Sequence, residues 1–585
     1  MLDACLRLGE FTADVDDSKN FVEFMRKELF PWLLDPTDAR LGDPDDYTVP
    51  LRALVNLSVL WATPLWFFVD LIEPWHGAPD RRSVSMSPSG MAFVLETINA
   101  EVNKYSGFYK SVASWFLSGI FGERAALPAF VEFVLASNDI QRSVLGNLSI
   151  FFNAMHAKPR FLVIHQLPHL VPKLRARDWV DALQSAFNAK PPLSEEDTLI
   201  VTNGYLLDAM RVIFASYSAR EVTFLAVWWL IQYLGPMTSN SVRQLFIKHP
   251  LSAFLFPLAC GMYAALVYTV LFSGADNSIM TKAQRLVVSG LLTNVHKTAL
   301  TEVAAWSTLD IRAVRAVATQ LQNSSTVIWT PEEYMTNTSL EVLYGRDYPT
   351  ARSFFDHWRL SREQLQKSLG SEEYQASLRL FRLQSAHLAA YNPTTNVISV
   401  AVAALAAPYY ADEGTDAMAY GGLGFMYAMQ LVRTINALTV LLSDDMAQTP
   451  WNPVSSALDP GEGNTQNIST PGRALWELGR CSADVTSSGN VTALFPLLPA
   501  LKIAHAAYLR FRREDRDLRL PGLEEYSAEQ VFFLSACHVT CWERGDQHRL
   551  SPECTEALRN FEPFAKAFSC PAGSPMNPEQ KCAFL

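Results

Sequence analysis

Three stretches of the chain carry side chains whose types and spacing could do chemistry. The first runs from Pro408-Tyr-Tyr410 through Tyr420-Gly-Gly-Leu-Gly424 into Phe425-Met-Tyr-Ala-Met429-Gln430-Leu-Val-Arg433. A helix over its second half would put Met429 and Arg433 one turn apart on one face. The second is His165-Gln-Leu-Pro168-His169, two imidazoles at the same spacing. A proline interrupts the continuous helix that sharing a metal requires. The apolar run Phe161–Ile164 ahead of it predicts a strand-to-helix junction instead. The third is Cys537-His538-Val-Thr-Cys541; in an oxidising compartment, disulfide formation is the favoured fate of both sulfurs. No Ser/His/Asp or Cys/His constellation stands out. The glycines of 421–424 lack the lysine of a phosphate-binding loop.

The first stretch resembles the neprilysin and endothelin-converting-enzyme family of zinc metallopeptidases, where Tyr-Gly-Gly-(Ile/Leu)-Gly leads into His-Glu-x-x-His. Leu520-Pro-Gly-Leu523, Glu529-Gln530-Val-Phe-Phe-Leu534 and Cys541 are similar to a segment near that family's carboxyl end. Phe568-Ser-Cys570 and Met576-Asn577-Pro578-Glu-Gln-Lys581-Cys582 resemble its terminal signature. Upstream, Cys5, Cys260, Trp306 and Asp310 fit its pattern. The resemblance implies a mainly α fold with small β elements: a helical lobe over 1–345 and a thermolysin-like lobe over 346–585, enclosing a cavity.

The resemblance also assigns roles, and the residues depart from them. The zinc histidines fall at Met429 and Arg433, and the glutamate that activates water at Gln430. The third ligand falls at Ala493 and its aspartate at Leu497; the aspartate orienting the second histidine falls at Asn436. The asparagine that clamps substrate falls at Leu388, just before Ala389, and a histidine stabilising the transition state at Leu550. Such sites need three protein ligands and a bound water. A thioether is a poor partner for zinc, and a guanidinium offers no lone pair. Holding its charge about 4 Å from Zn²⁺ would cost about 8 kcal/mol at an effective dielectric of about 20. Glutamine cannot act as a base at neutral pH.

The expectation is therefore no bound metal, no cofactor and no catalytic residue. The function expected is that of an inactive extracellular homologue that binds or sequesters peptides or modulates an active relative. The alternatives are a working zinc endopeptidase with displaced ligands, a purely structural partner, or a decaying gene product. In the family, a strand equivalent to Val397–Val402 lines the cleft, which makes Val400 and Ala401 cleft residues beside Leu388 and Ala389.

Elements that must position these groups are legible from pattern. Asp178 is expected to cap a helix whose apolar stripe is Trp179, Ala182, Leu183, Ala186 and Phe187. Ser307 and Asp310 resemble a capping box ahead of Ile311, Val314 and Leu321. Val397–Val402 reads as a β-branched strand. Leu54–Leu71 reads as strand-like core and Leu255–Phe272 as a core helix, so no membrane span is expected. Residues 446–472 form a loop rich in Pro, Gly, Ser, Asn and Asp.

A chain of 585 residues with 49% apolar and 18% charged residues can bury a sizeable core. Its net charge of −11 argues against a nucleic-acid partner. Eight cysteines and sequons at Asn56, Asn147, Asn323, Asn337, Asn467 and Asn490 suit a secretory route. The resemblance implies pairing of Cys5 with Cys260 and of Cys481 with Cys582. The family's partners of Cys541 and Cys570 lie upstream of Met1, which implies an amino-terminal truncation, with Cys537 and Cys554 as replacement partners. Whether the product is secreted or anchored stays open at this point.

Overall fold

The computed structural model describes residues 17–29, 45–72, 83–89, 140–144, 146, 160–238, 260–261, 264, 281–305, 311–328, 336–345, 353–369, 388–392, 396–434, 496–513, 515, 520–540 and 552–582. Cys5, Asn147, Asn436, Asn467, Cys481, Asn490, Ala493, Leu550, Cys541, Trp306, Ser307, Asp310 and the loop 446–472 lie outside them. Among the described residues the chain is mostly helical with two small sheets, as expected.

The chain divides into two compact units, Met1–Phe272 with Glu333–Phe381, and Ser273–Glu332 with Arg382–Leu585. The division is discontinuous, whereas the resemblance implies a single boundary near residue 345. Strand pairing explains the difference. A strand at 325–328 hydrogen-bonds along its length to one at 397–400, so the segment carrying it joins the carboxyl-terminal unit.

In the first unit the helices are α1 (Ser18–Phe24), α2 (Thr48–Val59), α3 (Ala176–Phe187), α4 (Tyr205–Ser216) and α5 (Ala219–Thr238). Strands β1 (Phe67–Ile72), β2 (Ser83–Pro88), β3 (Arg160–Val163) and β4 (Thr198–Val201) form a sheet ordered β1-β2-β4-β3, parallel only between β2 and β4. Leu54–Leu71 is thus not one strand: its first half is α2, whose buried face includes Leu51, Leu54 and Val55. Only the second half is extended, and β1 is buried along its whole length. The stripe of α3 is buried as expected. Its cap differs, because Arg175 is the capping position and Asp178 sits three residues in, where its Oδ2 accepts from the Arg175 amide at 2.8 Å. The carboxylate at that place serves the helix dipole and the free amide together.

The second unit holds α6 (Lys282–Ala304), α7 (Ile311–Gln322), β5 (Ser325–Ile328), β6 (Ala389–Asn392) and β7 (Val397–Val400), in a sheet ordered β5-β7-β6. Two helices of the first unit, α8 (Asn337–Tyr344) and α9 (Phe354–Gln366), intervene in sequence. Then follow α10 (Phe425–Thr434), α11 (Leu497–Phe511), α12 (Ala528–His538), α13 (Pro552–Arg559) and α14 (Glu562–Ala567). Helix α6 starts on a capping box of Thr281 and Gln284, and α12 on one of Ser527 and Gln530. The core between them is aromatic: the rings of Tyr508 and Phe532 stack at 5.4 Å, and Phe533 meets Phe561 and Phe564 edge-on.

The Tyr420–Gly424 segment is a wide π-type turn feeding α10, and it is buried throughout. Two of its glycines are required by close backbone approach. A Cβ on Gly421 would lie 2.4 Å from the Phe532 carbonyl oxygen, and one on Gly422 2.2 Å from that of Tyr409. The Tyr409 oxygen also accepts from the Leu423 amide at 2.8 Å, so it cannot simply retreat. Gly422→Ala is expected to destabilise the protein by about 1–3 kcal/mol, the usual cost of overpacking a close-packed interior. Urea unfolding should show this as a lowered midpoint with an unchanged slope.

Candidate functional site

Helix α10 carries the chemistry-bearing stretch, and its surroundings fix each side chain differently. Met429 is half-buried against the core, Gln430 is buried and Arg433 is exposed. The Gln430 Oε1 accepts from the Tyr391 backbone amide at 3.2 Å and from Arg433 Nη1 at 3.0 Å. Both donors are N–H groups, so the amide orientation is set by chemistry: oxygen faces them and nitrogen faces away.

The Tyr391 amide belongs to β6, the edge strand. On the inner side, Ala390 and Asn392 pair with Ser399 and Val397 of β7. The Tyr391 ring is held by a closed set of bonds. Its hydroxyl donates to Asn396 Oδ1 and accepts from Gln320 Nε2, each at 3.0 Å, while Asn396 Nδ2 donates to the Gln320 carbonyl at 3.0 Å. Burial pushes the phenol well above its usual range. Edge strand, α7 and α10 are therefore one hydrogen-bonded body around Gln430.

The expected cleft residues gather in the same place. Ala389 and Val400 are paired partners across β6 and β7, and Ala401 donates its amide to the Leu388 carbonyl at 2.9 Å. Leu388 packs half-buried on the core. Val397–Val400 is a strand as expected; it stops at Val400, and Val402–Leu405 is a 3-10 turn. Leu497 is the first residue of α11 and is buried.

The donor set at 429, 430 and 433 does not fit zinc. Arg433 offers only hydrogens, and the carbonyl oxygen of Gln430 is occupied by two donors. No group of three or more His, Cys, Asp and Glu residues among the described residues could hold a metal ion. His165 and His169 sit at a strand-to-helix junction, as expected, where β3 gives way to a turn at Ile164–Gln166 and a short helix Leu167–Leu170. Both are exposed. Cys537 and Cys554 form a disulfide with one another, Cα atoms 5.6 Å apart, rather than pairing with Cys541 and Cys570. The end of α12 and the start of α13 are therefore adjacent, which spacing alone does not reveal. Cys570 is a free thiol. Cys260 and Cys582 are disulfide-bonded, and the partners expected for them lie outside the described residues. Among the sequons, Asn323 is exposed just past α7. Asn56 is half-buried mid-helix, with its Ser58 hydroxyl in the core accepting from the Val69 amide at 2.9 Å. Asn337 begins α8.

One polar assembly escaped sequence reading. A cavity of about 140 Å³ is lined by Ser289, Thr293, His296 and Lys297 of α6, Thr326 of β5 and Tyr427 of α10. At its floor Tyr427 Oη lies 2.6 Å from Thr326 Oγ1 and 3.3 Å from His296 Nδ1, while His296 Nε2 lies 2.9 Å from the Leu321 carbonyl. The carbonyl can only accept, so Nε2 carries the ring proton and Nδ1 accepts a hydrogen bond from the Tyr427 hydroxyl. The signal was available as a polar stripe at 289, 293, 296 and 297 on α6, but its partners lie on other elements, Tyr427 more than a hundred residues away.

Burial holds the His296 imidazole below its ordinary range, against a smaller raising effect of the Leu321 bond. It also pushes the Tyr427 phenol up to about 12. The unfolded histidine takes up a proton near pH 6.5 and the folded one does so only at lower pH, so stability is lost as pH falls from about 6.5. The midpoint of thermal unfolding should drop between pH 7.5 and 5.5, and drop less in His296→Gln. Separately, Gln430→Ala should cost about 1–3 kcal/mol in chemical unfolding, since it strands the Tyr391 amide.

With this geometry in place, the class is that of a mostly helical fold built on a glycine-led helix and an edge strand. Residues 498–584 match Peptidase family M13. Endothelin-converting enzyme 1 of Mus musculus is 24% identical over 265 residues, 42% of this chain and 32% of that protein. Neprilysin-1 of Caenorhabditis elegans is 28% identical over 208 residues, 33% of this chain and 27% of that protein. The matched region thus spans about a third of the length of these curated relatives. Among solved structures, the Mycobacterium tuberculosis zinc metalloprotease Zmp1 in complex with inhibitor covers 99% of this chain and 91% of its own, with a TM-score of 0.61 at 15% identity. PepO from Lactobacillus rhamnosis covers 99% and 97%, with a TM-score of 0.54 at 12% identity. These structures show the fold. Together the findings make the chain similar to neprilysin-like zinc metallopeptidases in sequence over part of its length and like them in fold.

Proposed function

We propose that this chain is a non-catalytic member of its family that binds peptides instead of cleaving them. The observation that carries the reading is the engagement of Gln430. In a hydrolase of this kind the residue at that place must free a carboxylate to take a proton from water. Here the oxygen is an acceptor for Tyr391 and Arg433, and the group has no titratable proton. The chain carries no resident metal in this reading, since the side chains at 429 and 433 are a thioether and a guanidinium.

What persists is the apparatus for holding an extended chain: the edge strand β6, its support β7 and the rigid network around Tyr391. Beyond the Tyr391 amide, which Gln430 takes, an edge strand offers its remaining main-chain groups to an incoming segment. The ligand is a peptide, or the site of contact with an active relative. The Cys537–Cys554 disulfide supports an extracellular or cell-surface setting. Among the described residues no helix is long and apolar enough to cross a membrane.

Purified protein should show no zinc-stimulated hydrolysis of small peptides. Turnover that a chelator abolishes and zinc restores would overturn the reading in favour of a peptidase with displaced ligands. The variant combining Met429→His, Gln430→Glu, Arg433→His and Ala493→Glu should bind zinc where the native chain binds none, as measured by metal analysis after dialysis.

A further inference from the structure

Helix α10 carries more hydrogen-bond donors than its neighbours consume. Gln430 is 4% exposed, and its oxygen is saturated by Tyr391 and Arg433. Its Nε2, turned away from those donors, has two hydrogens and no partner among the described residues. Arg433 spends one nitrogen on Gln430 and has no carboxylate partner among the described residues, while its side chain reaches solvent. A guanidinium and a primary amide thus stand side by side, joined by their mutual bond, with hydrogens to spare and no acceptor among the described residues. Met429, on the preceding position, adds a soft apolar surface.

We propose that Gln430 and Arg433 form an anion site whose ligand is a carboxylate, accepting one bond from Gln430 Nε2 and one from the remaining guanidinium hydrogens. The inference deepens the peptide-binding reading and rests on it for the choice of ligand, a peptide's terminal carboxylate. Three features favour that anion. A carboxylate has two coplanar oxygens at a separation that suits paired N–H donors. The Arg433–Gln430 bond preorganises the guanidinium, so little rotamer freedom is lost on binding. The adjoining edge strand β6 would engage the backbone of the segment that the carboxylate ends. Phosphate would place a tetrahedral, more highly charged group against a single cation.

The probes are N-acetyl-Ala-Phe with a free carboxylate, its carboxamide twin and benzoate, titrated into the full chain by calorimetry at low and high salt. The free acid should bind at least about tenfold tighter than the amide, and benzoate should compete with it. Salt should weaken the acid and leave the amide unchanged. Arg433→Gln should bring the two peptides to equal affinity with an unchanged thermal midpoint, and Arg433→Lys should keep part of the preference. Equal binding of acid and amide to the native chain overturns the anion site and leaves peptide binding standing. Benzoate binding that Arg433→Gln abolishes, without binding of either peptide, supports the site and sinks the peptide reading. Binding of none of the three overturns both. The acid-to-amide ratio on native protein needs no variant, so the test survives if Arg433→Gln fails to fold.

Discussion

The placement of α10 depends on one constraint, the close approach of bare backbone at Gly421 and Gly422. Two carbonyls, from Phe532 and from Tyr409, press against positions where any side chain would collide. That contact fixes where the helix begins and therefore which residues face β6. Every later feature of the region follows. Gln430 meets the Tyr391 amide, Tyr427 meets Thr326 and His296, and Asp416, just before the turn, receives the Arg513 guanidinium at 2.9 Å. The glycines survive because they serve packing. The residues around which a metal would assemble belong to a different requirement, and nothing in the packing demands them.

This separation means that the packing of the scaffold does not depend on which side chains stand at 429, 430 and 433. A zinc site asks for lone pairs aimed at one point. The interior asks only for volume, apolar surface and satisfied polar groups. Glutamine meets the second demand better than a carboxylate would: an uncharged amide costs less to bury and still provides the oxygen that β6 needs. The network from Gln320 through Tyr391 and Asn396 to Gln430 is fully paired on the strand side, and it holds the edge rigid without help from a metal. His505 makes the same point deeper in the core. It is ringed by Phe532, Phe533 and Phe561, its imidazole is pushed below its ordinary range by burial against the opposing pull of Glu529, and Glu529 meets it at 2.8 Å.

Much of this was legible in the sequence, where local pattern governs. The apolar stripe of α3, the strand at Val397–Val400 and the strand-to-helix junction at His165 follow from periodicity and from proline. The glycine motif marked the start of α10. Misreadings arose where a rival local rule or a long-range partner decided. Leu54–Leu71 is uniformly apolar, and periodicity cannot tell a buried helix from a buried strand; it proved to be one of each. Asp178 moved inward because Arg175 supplies a second bond that spacing does not disclose. The cut near residue 345 missed a pairing between strands seventy residues apart. The spacing singles out Gln430 as a residue whose amide has no titratable proton. That its oxygen would brace a strand was invisible, because the partner is a backbone group with no identity in the sequence.

The bridge between Cys537 and Cys554 joins residues 17 positions apart in the chain. Closing a loop of that size lowers the entropy of the unfolded chain by an amount worth about 3 kcal/mol. It also makes the carboxyl-terminal tail a captive. A hydrolytic nick anywhere between the two sulfurs would leave α13 and α14 tethered to the parent molecule. The severed tail would part from it only under reducing conditions.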